Sequence, residues 1–183
     1  MNKIDFKPFP VLKTERLILR QLQIEDEADI FALHSDESVL EFIDTPKANS
    51  LDEARDFIHK TNDGITKNEW IMWGIVLSDT NKLVGTICIW NISKKHSKAE
   101  IGYVLLPEYQ GKGIMQEALT KVLHYGFEAM QLHAIEAYTH PKNLKSINLL
   151  DRNKFIWIKD IKENNSTDGR INSVYRLLKS NFL

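Results

Sequence analysis

The chain has 183 residues, 43% of them apolar and 27% charged, the balance of a folded globular protein with a sizeable core. A formal net charge of −1 gives no electrostatic reason to expect nucleic-acid or membrane-surface binding. The single cysteine, Cys88, excludes an intramolecular disulfide, the longest apolar run (Trp70 to Leu77) is too short for a membrane span, and no signal peptide opens the chain, so a cytoplasmic protein is expected.

Arg16 to Leu22 is apolar enough for a first strand. Asp26 to His34 reads as a short helix, with another helical turn over Ser38 to Ile43. Ser50 with Glu53 three residues later forms a capping box, and Leu51, Ala54, Phe57 and Ile58 follow at helical spacing. Ile71 to Ser78 and Lys82 to Asn91 read as a β-hairpin turning at Asp79-Thr80-Asn81. After a lysine-rich polar loop, Ala99 to Leu106 is the fourth predicted strand. Gln110 to Met130 is a long amphipathic helix, Ala134 to Thr139 a fifth strand and Asn143 to Asn153 another helix. Phe155 to Lys162 and Ile171 to Lys179 flank Asp168-Gly169, a strong hairpin signal. The order β α α β β β α β α β β, with no repeat or linker, predicts a single α/β domain with a mixed sheet over residues 1–183.

The most informative stretch runs from Glu100 to Met115, where a strand enters a glycine-containing loop that opens a long helix. The first N–H groups of a helix have no intrahelical partner, and the dipole is positive there. Gly111 and Gly113 let the backbone approach a ligand closely, which makes a pyrophosphate cradle, and Lys112 adds a positive charge at its rim. The loop has neither the Gly-Lys-Ser/Thr ending of a Walker loop nor the three-glycine spacing of a dinucleotide fold. The bland alternative is a glycine-softened turn before a core helix.

Gln110-x-x-Gly113-x-Met115 resembles the acetyl-CoA pattern of the GNAT superfamily, departing from it where Met115 replaces Gly or Ala. Thr14 to Arg20 is similar to the opening strand of the ribosomal-protein-alanine N-acetyltransferase branch. Asn143-x-x-Ser146 to Phe155 is similar to that branch's late helix, with Lys154 in place of its usual Gly. The resemblance implies a mixed sheet whose fourth and fifth strands splay apart. It implies that the pantetheine arm of acetyl-CoA pairs with the exposed strand edge at Val104, Leu105 and Leu106. The pyrophosphate then rests on Gln110, Gly111, Lys112, Gly113, Ile114 and Met115.

Acetyl transfer needs a neutral amine, a stabilised oxyanion and a way to quench the departing thiolate. Glu100, at the start of the fourth strand, reads as a proton acceptor or as a solvated strand-end acid near Lys98. Many relatives place a tyrosine seven residues after the late asparagine to protonate the thiolate, and here that position is Leu150. Ser146 then becomes the thiolate's hydrogen-bond donor, or else a first-turn serine bonded to backbone. Asn143 either caps its helix or bonds the pantetheine arm. Cys88 reads as a small core residue, Trp70, Trp73 and Trp90 as core with one free to line an acceptor pocket, and His140 as a surface residue at the cleft's border. No histidine pair has metal spacing, and no metal is expected.

These readings lead to an acetyl-CoA-dependent N-acetyltransferase acting on a primary amine, first of all a protein N-terminus. The alternatives are a small amine (polyamine, amino acid or aminoglycoside) and a non-catalytic acyl-CoA-binding module. Asp36, Glu37, Glu41 and Asp44 lie where an acidic acceptor pocket would favour a polycation, and the segment from Leu40 to Asn49, with Glu41 and Asp44, is expected to wall the acceptor side. The oligomeric state is left open, with a dimer among the possibilities.

Overall fold

The predicted strands and helices assemble into one eight-stranded sheet, in a computed structural model that describes residues 4–43, 45–162 and 171–182. In chain order the elements are β1 (Leu12–Lys13), β2 (Leu17–Arg20), α1 (Glu27–Ser35), α2 (Glu37–Leu40), α3 (Leu51–Thr66), β3 (Ile71–Leu77), β4 (Leu83–Ser93), β5 (Lys98–Leu105), α4 (Ile114–His124), β6 (Ala134–Thr139), α5 (Leu144–Arg152), β7 (Ile156–Lys162), β8 (Ile171–Leu178) and α6 (Lys179–Phe182). The sheet order is β1-β2-β3-β4-β5-β6-β8-β7, antiparallel throughout except for β5 beside β6. The short β1 and α6 carry too little periodicity to be seen in the sequence, so the predicted fourth and fifth strands are β5 and β6. No helix among the described residues is long and apolar enough to cross a membrane.

Strand alternation gives the sheet two apolar faces. Ile71, Trp73, Ile75, Ile87, Ile89, Ile101 and Leu105 pack under α4 with Leu119, Val122 and Phe127. Met72, Val76 and Leu83 pack under α1 and α3 with Ile30, Ala54 and Ile58. Trp73 is fully buried, and burying a side chain of this kind contributes roughly 1.5–3 kcal/mol. Its indole N–H donates to Pro10 O at 2.8 Å, so the polar end is satisfied.

Several boundaries differ from expectation for local reasons. At α3, Ser50 Oγ accepts from Glu53 N as predicted, but the Glu53 carboxylate accepts from Asn49 N at 2.9 Å, one residue earlier than a capping box requires. The helix predicted from Gln110 begins only at Ile114, because a short 3-10 turn (Pro107–Tyr109) and two left-handed glycines come first. It then continues past α4 as a wide π turn over Tyr125–Ala129. The predicted Asp168-Gly169 turn lies outside the described residues, while β7 and β8 on either side pair antiparallel.

Candidate active site

The junction after β5 is built around two left-handed glycines. Gly111 has φ +74° and Gly113 φ +76°, values that side-chain-bearing residues rarely adopt. Gly113 is the N-cap of α4, and no side chain caps that helix. Ile114 and Met115 are buried, whereas Gly111, Lys112 and Gly113 are exposed. The helix therefore anchors in the core and presents its positive end to solvent, as an anion site requires. The Lys112 and Lys82 ammonium groups each lie 5.6 Å from the centroid of the Tyr109 ring, which adds positive charge to the rim.

Two further cations brace this loop. Arg16, just before β2, donates from Nη1 to Lys112 O at 3.0 Å and from Nε to Glu117 Oε2 at 2.7 Å. It thereby offsets the acid in the first turn of α4 that would otherwise oppose an anion. Burial alone would raise the Glu117 carboxyl, but bonds from Thr14 and Arg16 hold it below the usual range. From α5, Lys145 Nζ donates to Gln110 Oε1 at 2.7 Å, and Gln110 Nε2 donates to Leu105 O at 2.9 Å. Beside Gly113 lies an open cavity of about 520 Å³ lined by Thr14, Arg16, Gln116, Glu117 and Lys121, among others. That volume is in the range of small-ligand sites.

A gap opens beside this loop. β5 pairs with β6 only at Lys98↔Ala134, Ala99↔Ile135 and Glu100↔Glu136. Beyond that point β5 continues to Leu105 along β4, and β6 continues to Thr139 along β8. The two parallel strands therefore diverge, leaving Val104, Leu105 and Leu106 at the open end. Across the opening, on the α4 face, the Tyr103 hydroxyl and Ser146 Oγ are 2.9 Å apart. The Ser146 hydroxyl thus reaches a side chain on the opposite strand, while its backbone N–H is capped by Asn143 Oδ1 at 3.1 Å.

The α1/α3 face has a different character. Glu100 lies opposite Trp90 on β4 and Glu136 on β6. Burial raises the Glu100 carboxyl above its ordinary range, against an Asn91 Nδ2 bond of 2.6 Å that lowers it. Burial would likewise raise Glu136, but Arg176 and Lys98, at 2.6 and 3.1 Å, hold it below the usual range. Trp90 is 48% exposed and Tyr138 38% exposed, so two aromatic side chains on this face are not core. Beneath Trp90, Gly102 sits close to its neighbours: an added Cβ there would press on Cys88 Sγ at 3.3 Å and touch Trp90 Nε1 at 3.8 Å. At the far end of β6, His140 stacks on Phe42, with ring centroids 5.4 Å apart, so the segment after α2 borders the gap. Glu41 is exposed, and Asp44 lies outside the described residues.

The expected proton-handling pair is therefore divided by the sheet. Glu100 faces the α1/α3 side and Ser146 the α4/α5 side, with the opening between β5 and β6 between them. Met115 points into the core, and Leu150, where many relatives carry tyrosine, is fully buried. The Cys88 thiol is pushed up to about 12 by burial, which leaves it protonated and inert as a nucleophile. Sequence reading missed Arg16, Tyr103, Glu136, Tyr138 and Lys145. Arg16, Tyr103 and Lys145 stood inside the motif stretches and only their contacts were invisible, whereas Glu136 and Tyr138 alternate on a strand that reads as ordinary. Among the described residues, no group of three or more His, Cys, Asp or Glu side chains is placed to hold a metal ion.

Known proteins match this architecture. An acetyltransferase (GNAT) domain matches residues 16–156. The N-acetyltransferase YoaA of Bacillus subtilis (strain 168) is 37% identical over 142 residues, covering 78% of this chain and 80% of that protein. The spermidine N(1)-acetyltransferase of Vibrio cholerae is 26% identical over 172 residues, 92% of this chain and 96% of that protein. The ribosomal-protein-S5-alanine acetyltransferase of Vibrio fischeri superposes with a TM-score of 0.80 at 21% identity, over 95% of this chain and 99% of that one, a likeness of fold.

Proposed function

This chain belongs to the GNAT acetyltransferase family, and from that premise we propose that it moves the acetyl group of acetyl-CoA to the α-amine of a protein N-terminus. The open start of α4, with Lys112 and Arg16 around it, suits the CoA pyrophosphate, and the cleft between β5 and β6 suits the pantetheine arm. When bound, the cofactor supplies an activated thioester. The amine nitrogen attacks its carbonyl carbon, a C–N bond forms, the C–S bond breaks, and sulfur leaves with the electron pair. Glu100 takes the amine's proton, directly or through water, on the α1/α3 side. Ser146 Oγ–H stabilises the thiolate on the other side, and the thiolate then takes a proton from solvent.

One observation carries the choice of acceptor. A polycation needs several uncompensated carboxylates, and three of the described ones on this side are already engaged. Glu136 is held by Lys98 and Arg176, Glu37 pairs with Lys47, and Asp36 caps α2. Glu100 and the exposed Glu41 form no ion pair among the described residues, and of the two Glu100 stands on β5 at the last β5–β6 pair, which suits a substrate presenting one positive charge there. An α-amine also suits a site with a single weak base. Its pKa is about 2.5 units below that of lysine, so roughly a few hundred times more of it is neutral at pH 7.

A thiol-release assay tests the proposal, using a peptide with a free N-terminus, the same peptide N-blocked with an internal lysine, spermidine and an aminoglycoside. The free N-terminus should give the highest kcat/KM. Faster turnover of spermidine would replace the proposed acceptor, and CoA binding with no thiol release from any amine would make the chain a binding module.

A further inference from the structure

We infer that Tyr103 is a positioning residue for the thiolate, fixing the Ser146 hydroxyl so that its proton points into the gap between β5 and β6. This rests on the acetyl-CoA reading above and goes beyond it, because that reading gives Tyr103 no part.

Three observations carry the inference. First, the contact lies where a ligand must pass. The last β5–β6 pair is Glu100↔Glu136, so Tyr103 stands three residues into the divergent part, and Ser146 is in the first turn of the helix that follows β6. The 2.9 Å bond between their hydroxyls therefore spans the mouth of the opening. Second, Ser146 has no local use for its hydroxyl. The start of α5 is capped by Asn143, so Ser146 Oγ is not the cap, and the hydroxyl's partner is the phenol. Third, Leu150, one helical turn on from Ser146, is buried and provides no acid on this side.

The direction of the bond follows from acidity. A phenol is a stronger donor than an aliphatic hydroxyl, and the Tyr103 phenol stays protonated because burial pushes it up to about 12, against the Ser146 bond that lowers it. Tyr103 therefore donates to Ser146 Oγ, and the serine's own proton is left to point elsewhere. The nearest open space is the cleft. When the C–S bond breaks, the sulfur keeps the electron pair and accepts the Ser146 O–H hydrogen bond. Ser146 stays neutral throughout, with Tyr103 behind it. A phenol held near 12 is too weak an acid to give its proton to a thiolate whose conjugate acid lies near 8.5. The pair therefore stabilises the leaving group by hydrogen bonding, and the final proton comes from solvent.

The test uses the full chain, CoA, and desulfo-CoA, in which hydrogen replaces the thiol. Wild-type protein should prefer CoA over desulfo-CoA increasingly as pH rises from 7 to 9.5 and the bound sulfur ionises. Tyr103→Phe keeps the ring's packing and should bind desulfo-CoA as wild type does, but lose most of the pH-dependent preference for CoA. Its kcat should fall by up to about tenfold, the weight of one neutral hydrogen bond. In a Ser146→Ala background, Tyr103→Phe should cost almost nothing further, since it acts through the serine. Equal loss of both ligands would mark a packing role and overturn the inference, as would an unaltered CoA preference or additive losses in the double variant. A wild-type protein that bound neither ligand would instead remove the acetyl-CoA reading, and this inference with it.

Discussion

β5 and β6 run parallel, start as neighbours and release the chain toward α4 and α5 at the same end of the sheet. They differ in how fully the protein satisfies them. On β6, Glu136 is held by two cations, and α5 after it is capped by Asn143. On β5, the register partner Glu100 has only Asn91, and α4 begins without a capping side chain. Polar groups left incompletely paired beside a cleft are the ones available to a ligand. On the proposed function, the contrast gives anion binding and proton acceptance to β5 and its junction, while on β6 it leaves Glu136 structural and makes Asn143 the cap that holds Ser146 in place.

The largest expected effect comes from making the first junction resemble the second. Gly113→Asp places a carboxylate at the N-cap of α4, where it accepts from the exposed N–H groups and repels a diphosphate. Asp is among the residues that tolerate positive φ best, so the fold should survive. Competing cap, repulsion and residual strain together make about 3 kcal/mol, or a loss of affinity for CoA of roughly a hundredfold or more. Calorimetry with CoA reads this, with circular dichroism to verify the fold. Retained affinity would mean that the open helix start is not the anion site.

This junction was legible in the sequence because its physics is local. Two glycines, a preceding apolar strand and a following amphipathic stretch dictate strand, turn and helix, and each predicted strand and helix has a counterpart in the structure. The boundary error at Gln110 has the same origin, since hydrophobic period alone does not register two residues at positive φ. What surrounds the junction was not legible. Arg16 reaches Lys112 and Glu117 across about a hundred residues of chain, and Tyr103 meets Ser146 across 43. Such pairings depend on which strands become neighbours and how they diverge. Trp90 shows the same limit: by composition it reads as core, and it is half exposed on the α1/α3 face of β4.

Next in size is the paired carboxylates' response to pH. If Glu100 takes the amine's proton, Glu100→Gln should lower kcat by about a hundredfold with CoA affinity kept. Because burial raises the Glu100 carboxyl, the acid limb of the wild-type rate profile should fall above the usual carboxylate range. The variant should lack that limb, and the gap between the two enzymes should close as pH falls and wild-type Glu100 becomes protonated. Glu136→Gln should behave oppositely, keeping most activity and losing stability. The folded state holds Glu136 below its unfolded value, so its contribution is present above the unfolded pKa and is lost as pH falls through the lower folded one. Denaturation across pH 3 to 7 should show a shallower stability curve in that variant. A rate defect in Glu136→Gln equal to that of Glu100→Gln would erase the proposed division between the strands.

A smaller change tests the capped junction. Asn143→Ala removes the acceptor for Ser146 N and should cost about 1 kcal/mol of stability. If Asn143 serves α5 alone, CoA affinity should change no more than twofold. A loss of tenfold or more at unchanged stability would place Asn143 itself on the pantetheine arm, beside Ser146.

The smallest effect lies at the other end of α5. Lys154 N donates to Asp151 O at 3.0 Å and Phe155 N to Leu150 O at 3.1 Å, the paired bonds of a Schellman ending. That ending requires a left-handed residue, and Lys154 has φ +64°. The lysine is exposed and forms no ion pair among the described residues, so the strain has no visible return. Lys154→Gly should relieve it and stabilise the chain by about 0.5–1 kcal/mol, offset in part by the glycine's greater freedom when unfolded. For a chain of this size that is a rise of roughly 1–4 °C in Tm, readable by calorimetry. Kinetic constants should stay at wild-type values, because the turn lies at the opposite end of α5 from Ser146 and the gap. An altered kcat would show that the strained turn sets the position of α5, and through it the hydroxyl pair at the mouth of the cleft.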